Sequence, residues 1–372
     1  MTISASDLRF MALALDLAEQ ALGTTWPNPS VGCVLVDEQG SVPRVLARAA
    51  TAPGGRPHAE TQALARAGSA ARGATAYVSL EPCAHHGQTP PCTEALIQAG
   101  IARAVIATKD PDARVGGRGI ALLKEAGIAV SAGVMEARAE SVNAGFFKRI
   151  SKGRPLVTLK IAASLDGRLA THRGESQWIT GARARAQGHW LRATHDAILV
   201  GSATALIDDP ELTCRLPGLE TRSPVRIVAD GRLRLPLTLK LVRDARNPPT
   251  WVVTRADADR SRRKVLEDCG VKVIALEQAE PGPVEPPRMM AALGALGLTR
   301  LLVEGGAHLS AALLQAGLVD RLAWFSGNAI IGGDGHPATA PFGVDRLADA
   351  PRWRRVGGME LGSDTLSLYE AV

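Results

Sequence analysis

Two consecutive α/β halves are predicted for this chain of 372 residues. Three observations predict them. Short apolar runs that read as strands alternate with amphipathic stretches of about ten residues, the pattern of a largely parallel sheet covered on both faces. The length exceeds that of one typical domain. A basic, turn-forming stretch around 145–155, NAGFFKRISKGRP, interrupts the alternation, so the predicted domains are 1–150 and 151–372.

Taken in order, Ser4 to Asp7 has the form of a capping box, and Leu8, Met11, Ala12, Leu15, Ala18 and Leu22 follow at helical spacing. VGCVLV (31–36) reads as a buried strand, HAETQALARAG (58–68) as a helix and ATAYVSL (74–80) as a strand. TEALIQAG (93–100) is predicted helical, ARAVIAT (102–108) a strand and GIALLKEAG (119–127) a helix. The second half opens with the strand LVTLKIA. Strand-like segments follow at 197–201, 225–230, 250–254, 271–276 and 301–306, with PGPVEPP (281–287) as a loop. No repeat of fixed period is present.

Apolar residues make up 46% and charged residues 22%, which implies a packed globular protein. Aromatics, at 3%, are too few for a large base-stacking surface. The formal charge of +6 suits an anionic partner, either a phosphorylated metabolite or nucleic acid, and equally suits solvated basic faces. The five cysteines (Cys33, Cys83, Cys92, Cys214, Cys269) are few and odd in number, which argues for a reducing compartment. Asp7, Asp16 and Glu19 interrupt the N-terminal segment, so it does not read as a signal peptide, and no run approaches the roughly 18 apolar residues of a membrane span. A cytoplasmic protein with no membrane partner is expected. The oligomeric state is left open, with a homo-oligomer allowed.

Chemistry concentrates at PHAE (57–60) and EPCAHHGQTPPC (81–92). His58 and Glu60 open one predicted helix, Cys83 follows a strand, and Cys92 precedes another helix. Imidazole nitrogen and two thiolates are a zinc donor set, and a catalytic zinc keeps three protein ligands with its fourth position open. Helix N-termini favour thiolates. Glu60 is then the proton shuttle to a departing nitrogen. Zinc deaminases carry H-x-E followed by P-C-x-x-C, and here the second cysteine is delayed by an inserted AHHGQTP. His85 and His86 are alternative soft ligands that would close the site. The thiolate pair is the softer choice, which leaves both histidines as pocket residues that meet substrate. Cys33, Cys214 and Cys269 read as packing residues.

The second half is less explicit. LLVEGGAHLSAALLQ is a strand, a Gly-Gly turn and a helix, a geometry that lets backbone N–H groups approach a phosphate, but it lacks G-x-G-x-x-G and equally reads as a plain turn. GGDG (332–335) has the same ambiguity.

Together TTWPNPSVGCVLV, PHAE, EPCAHHGQTPPC, KDPDARVGGRG, LKIAASLDGRLA, GESQWIT, SATALIDDPELTCR and LVEGG resemble the bifunctional riboflavin-biosynthesis deaminase-reductases, across residues 24–312 and in that family's order. The resemblance implies a cytidine-deaminase-like three-layer N-terminal domain and a dihydrofolate-reductase-like C-terminal domain. It implies hydrolytic deamination of a diaminopyrimidinone ribosylamino 5′-phosphate, then NADPH-dependent reduction of the ribosyl group to ribityl. It puts zinc on His58, Cys83 and Cys92 and the proton donor at Glu60. Asn28 would address the pyrimidine ring, its other reading being a turn residue before Pro29. Cofactor contacts would fall on Ala162, Trp178, Thr204, Asp208, Gly231 and the loop from Gly306. Substrate contacts would fall on Ser176, Arg192, Leu212, Arg215 and Glu304. Arginine suits phosphate because its fork binds bidentately. Lys160 is either a ribose or cofactor contact or a solvated strand residue, and Trp178 either a nicotinamide wall or a core residue. Asp208 and Glu304 are the candidate proton donors of the reduction. The segment PRVLARAATAPGGR (43–56) departs from the family pattern at the pocket rim.

Two other readings stand beside this one. A zinc deaminase of nucleic-acid bases with a non-catalytic second domain would fit the basic charge. A purely structural zinc would take His85 or His86 as fourth ligand.

Overall fold

The computed structural model describes residues 3–87, 89–112, 116–278 and 282–372. Gln88 of EPCAHHGQTPPC, residues 113–115 of KDPDARVGGRG and Pro281 of the predicted PGPVEPP loop lie outside the described residues. The chain divides into two compact units, Met1–Gly153 and Arg154–Val372.

The first unit runs α1 (Ala5–Gln20), β1 (Gly32–Asp37), β2 (Arg44–Ala50), α2 (Ala59–Ala67), β3 (Thr75–Val78), α3 (Cys92–Gln98), β4 (Arg103–Ile106), α4 (Arg118–Glu125), β5 (Ala129–Ala132) and α5 (Glu136–Lys152). The predicted capping box forms: Ser4 Oγ accepts from Asp7 N at 3.1 Å, and Asp7 Oδ2 accepts from Ser4 N at 3.0 Å. The sheet order is β2-β1-β3-β4-β5. β1 pairs antiparallel with β2 and β3, whereas β3, β4 and β5 are parallel. This half is therefore mixed rather than largely parallel.

Side chains alternate across β1 as strand geometry requires. Cys33 and Leu35 join a core with Ala59 and Ala63 of α2, Leu96 of α3 and Leu123 of α4. Val34 and Val36 join Met11 and Leu15 of α1 and Val142 of α5 on the opposite face. The result is a three-layer helix–sheet–helix unit. Gly32 allows the close approach of α1, since a Cβ there would lie 1.9 Å from Ala14 O. The stretch expected to break near 145 is helical instead. Phe146 is buried, so packing overrides the local turn signals, and α5 ends only at Gly153, whose φ of 68° is the left-handed value glycine favours.

The second unit runs β6 (Leu156–Ala163), β7 (Arg168–Ala170), α6 (Ala182–Ala193), β8 (Ala197–Gly201), α7 (Ser202–Asp208), β9 (Val225–Ala229), α8 (Lys240–Arg243) and β10 (Thr250–Arg255). It continues with α9 (Arg260–Asp268), β11 (Lys272–Leu276), α10 (Pro286–Ala295), β12 (Arg300–Glu304), α11 (Ala307–Gln315), β13 (Arg321–Ser326), β14 (His336–Pro337), β15 (Trp353–Leu361) and β16 (Asp364–Ala371). The main sheet order is β11-β10-β9-β8-β12-β6-β13-β16-β15. It is parallel through β13, and β15 and β16 add an antiparallel hairpin at one edge.

Apolar runs in β8, β9, β10 and β12 bury Ile198, Val200, Val228, Val252 and Leu302 beneath α7 and α9. Buried Asp196 accepts from Thr299 N and Oγ1 and from Arg300 N, which ties the start of β12 beside β8. This arrangement brings the carboxyl ends of β8, β12 and β6 together, where open parallel sheets place their ligand crevices. No helix of the described residues is long and apolar enough to cross a membrane.

Candidate active sites

In the first unit, His58 occupies the N-cap of α2, Cys92 is the first residue of α3, and Cys83 lies in the loop after β3. Their donor atoms all fall within 4.8 Å of one another. His58 Nδ1 lies 3.3 Å from Cys92 Sγ and 3.7 Å from Cys83 Sγ, and Cys92 N donates to Cys83 Sγ at 3.3 Å. Donation from Cys92 and His58 pulls the Cys83 thiol down to about 4, while the shared proton raises Cys92. Glu60, 3% exposed, is the second residue of α2. Burial, reinforced by the negative Cys83, raises its carboxyl to about 6, and its Oε2 has no hydrogen-bond partner. One imidazole, two sulfurs and an orphaned buried carboxylate oxygen fit a three-ligand zinc with an open position.

Among the described residues no other group of histidine, cysteine and carboxylate side chains gathers in this way. His85 and His86 are outside the ligand set. His85 keeps a buried, unpartnered Nδ1, whereas His86 is exposed and its Nε2 meets Glu94 at 3.0 Å on α3. Asn28 Nδ2 donates to Gly55 O at 3.0 Å, three residues before His58.

The second unit has a cleft of about 320 Å³ at the strand ends. Ten of the sequence-derived residues line it: Lys160 and Ala162 from β6, Ser176 and Trp178 from the loop after β7, Arg192 from α6, Thr204 and Asp208 from α7, Leu212, Glu304 at the end of β12, and Gly306 just beyond it. Arg215 and Gly231 are not among the lining residues. Arg215 is exposed and paired with Glu211 at 2.9 Å, and Gly231 follows β9 beside Arg255 and Val284.

At the floor, Arg192 grips Glu304 bidentately at 2.7 and 2.9 Å, and Lys160 Nζ lies 3.7 Å from the same carboxylate. Burial alone would raise Glu304, but the charges of Arg192 and Lys160 outweigh it and hold the carboxyl at about 2. Asp208 shows the reverse: burial raises its carboxyl. Trp178 is not a core residue. It is 67% exposed, with the Arg185 guanidinium 4.4 Å above its ring. Gly305 and Gly306 have φ of 116° and 77°, and a Cβ at either would press on Thr204 at 3.3 or 3.2 Å. That bare turn exposes the N-terminus of α11, which has no side-chain cap of its own.

Sequence reasoning missed Arg185. A signal existed, since Arg185 and Arg192 are seven apart and share one face of α6.

Comparison with known proteins follows this division. Residues 4–108 match the cytidine and deoxycytidylate deaminase zinc-binding region, and residues 155–367 match the RibD C-terminal domain. The riboflavin biosynthesis protein RibD of Escherichia coli K12 is 41% identical over 359 residues, covering 94% of this chain and 95% of that protein. The chain belongs to the RibD family.

Other RibD relatives agree along the whole length. The Aquifex aeolicus protein is 38% identical, with 98% of each chain covered. The solved structure of Acinetobacter baumannii RibD (form 1) superposes with a TM-score of 0.87 at 36% identity, covering 98% of this chain and 99% of that one. A Thermotoga maritima deaminase/reductase of the same family has a TM-score of 0.84 at 32% identity, with 98% and 99% covered. A zinc deaminase half and a reductase half thus make this a bifunctional protein of riboflavin biosynthesis, with zinc and NADPH as the family's cofactors. The nucleic-acid deaminase reading is not favoured, because the RibD match extends through the second unit.

Proposed function

We propose that this chain carries out two consecutive reactions on one phosphorylated pyrimidine. The first is hydrolytic deamination of the diaminopyrimidinone ribosylamino 5′-phosphate, and the second is NADPH-dependent reduction of its ribosyl group to ribityl. The observation that carries this reading is the presence, in one chain, of the His58–Cys83–Cys92 donor set with Glu60 and of the strand-end cleft walled by Lys160, Arg192, Glu304 and the Gly305–Gly306 turn.

His58, Cys83 and Cys92 would hold zinc, which supplies a Lewis acid that makes water a nucleophile near neutral pH. Glu60, buried with one free oxygen, is placed to take the proton of the attacking water and deliver it to the amino group, which leaves as ammonia. His85 offers its unpartnered Nδ1 to the ring, and Asn28 lines the approach through Gly55. His86, turned to Glu94, has at most an outer role.

In the second unit NADPH supplies the hydride. Trp178 would offer it an apolar wall, and Ala162, Thr204 and Gly306 line the cleft that would hold it. Arg192 and Lys160 draw the anionic substrate, and Ser176 and Leu212 shape the cleft. Of the two proton-donor candidates, Glu304 is committed to Arg192, whereas Asp208 has a carboxyl raised by burial and holds its proton more readily. The reading requires neither nucleic acid nor membrane, places the enzyme in the cytoplasm, and allows a homo-oligomer. Gly231 and Arg215 lie outside the cleft and take no part in this reading.

The test is to offer the diaminopyrimidinone substrate to purified protein and follow ammonia release and NADPH oxidation separately. Both should occur. Glu60→Gln should keep its zinc, lose ammonia release by at least about 100-fold, and still oxidise NADPH when given the deaminated intermediate. Zinc-loaded protein that does neither reaction would refute the proposal.

A further inference from the structure

We propose that Glu81 is a positioning residue for the metal ligand Cys83, acting as a carboxylate clamp between the Pro82–Cys83 turn and the start of α4. Glu81 is 3% exposed, and both its oxygens are taken by backbone N–H groups from one distant segment. Oε2 accepts from Asp110 N at 3.2 Å and from Gly117 N at 3.0 Å, and Oε1 accepts from Ile120 N at 3.1 Å. Gly117 is the N-cap of α4 and carries no side chain that could do this, so the carboxylate caps the helix from another element.

The clamp reaches Cys83 because little lies between them. One residue intervenes, Pro82, whose ring fixes its φ, so a shift of Glu81 is handed to Cys83 almost undamped. The contact is close as well. A Cβ on Gly119 would lie 2.2 Å from Pro82 O and 3.2 Å from the Glu81 side chain. Glycine at 119 is therefore what lets α4 seat against the turn.

On its other side Cys83 is held by α3: Thr93 N and Thr93 Oγ1 both donate to Cys83 O at 3.2 Å, and Cys92 N donates to its sulfur. Cys83 is thus fixed between two helix N-termini. The α3 side carries Cys92, and the α4 side acts through Glu81 and the seat of Gly119 against Pro82. A glutamine cannot replace the carboxylate here, because its amide nitrogen would face a backbone donor.

This inference rests on the zinc reading, and its test separates the two. Zinc affinity is measured by competition with a chromophoric chelator for the full-length parent, Glu81→Gln, Glu81→Asp and Gly119→Ala. The thiolate-to-metal absorption of the cobalt-substituted proteins reports the ligand geometry. Met11→Ala serves as a stability control, since Met11 is buried on the opposite face of the sheet. Outer-shell partners of metal ligands are typically worth about 10- to 100-fold in affinity. Glu81→Gln and Gly119→Ala should weaken zinc by that factor and alter the cobalt spectrum. Glu81→Asp, which keeps two acceptor oxygens, should recover part of the loss, and Met11→Ala should melt earlier with unchanged affinity. If Glu81→Gln does not fold, Gly119→Ala carries the same expectation. Affinities within twofold of the parent, or an equal loss in Met11→Ala, would overturn the clamp while leaving zinc binding intact. A parent that takes up no zinc would overturn both.

Discussion

Replacing Glu304 with Gln should divide the two activities and expose how the reductase cleft is held together. The Glu304 and Arg192 side chains are 11% and 15% exposed, and Lys160 stands 3.7 Å from the carboxylate. Burial opposes the charge on Glu304, yet Arg192 and Lys160 bring its carboxyl from an ordinary 4.5 to about 2. At about 1.4 kcal/mol for each tenfold change in proton affinity, that corresponds to about 3 kcal/mol of stability. The sign follows from the depressed value. The contribution is complete above about pH 4.5 and is lost as pH falls through the folded value near 2, with about 2 kcal/mol gone by pH 3. Urea denaturation at pH 7 should therefore find Glu304→Gln less stable by about 3 kcal/mol, within the usual range for breaking a buried ion pair. The gap to the parent should narrow by about 2 kcal/mol at pH 3. NADPH oxidation should fall sharply while ammonia release persists. A gap under 1 kcal/mol at pH 7, or one that does not narrow in acid, would show that the network does not hold Glu304 in this way.

Asp7→Asn should behave in the same sense in the first unit. Burial is outweighed there by Arg103 and Ser4, which hold Asp7 at about 2 beside Tyr77 and Glu38. About 2 kcal/mol should be missing at pH 7 and progressively less below pH 3.8, measured by the denaturation of the deaminase half. Trp178→Ala should leave the melting temperature nearly unchanged, because the ring is largely exposed. It should raise KM for NADPH by roughly tenfold, the scale of one aromatic contact, and an unchanged KM would remove Trp178 from the cofactor site. Gly32→Ala must push a Cβ into the backbone of α1. It should destabilise the first unit by about 1–3 kcal/mol and melt it at a lower temperature while NADPH oxidation continues.

The elements that were legible in the sequence are those whose burial pattern is local. β8, β9, β10 and β12 are continuous apolar runs because both faces of the sheet are covered, and α2 announces itself by its amphipathic spacing and the His-Ala-Glu at its start. β2 was missed: RVLARAA is mostly Ala and Arg, and only Ala47 and Ala49 are buried. β15 escaped for a related reason, since it is an outer strand interrupted by Gly357 and Gly358 with little apolar patterning. The last part of α5 reads as a break in the sequence because its local signals are adverse and its reward, the burial of Phe146, is tertiary. The cluster of His58, Cys83 and Cys92 was legible because few residue types bind zinc and these sit at element boundaries. The reductase site was not legible from spacing. Arg192 and Glu304 are 112 positions apart, and no local pattern announces that they meet. Glu81 is invisible for the same reason, as its partners lie 29 to 39 residues further on.

His58, Cys83 and Cys92 come from three separate segments, so the proposed zinc donors come together only in the folded first unit. Metal that binds the native state alone stabilises it, by about 4 kcal/mol when free metal stands 1,000-fold above the dissociation constant. The second unit contains no such donor set among the described residues and gains nothing from that source. The proposed zinc site thus ties metal to the stability of one unit alone. With His58, Cys83 and Cys92 as ligands, chelation would lower the stability of the first unit by that amount and leave the second unit's unchanged.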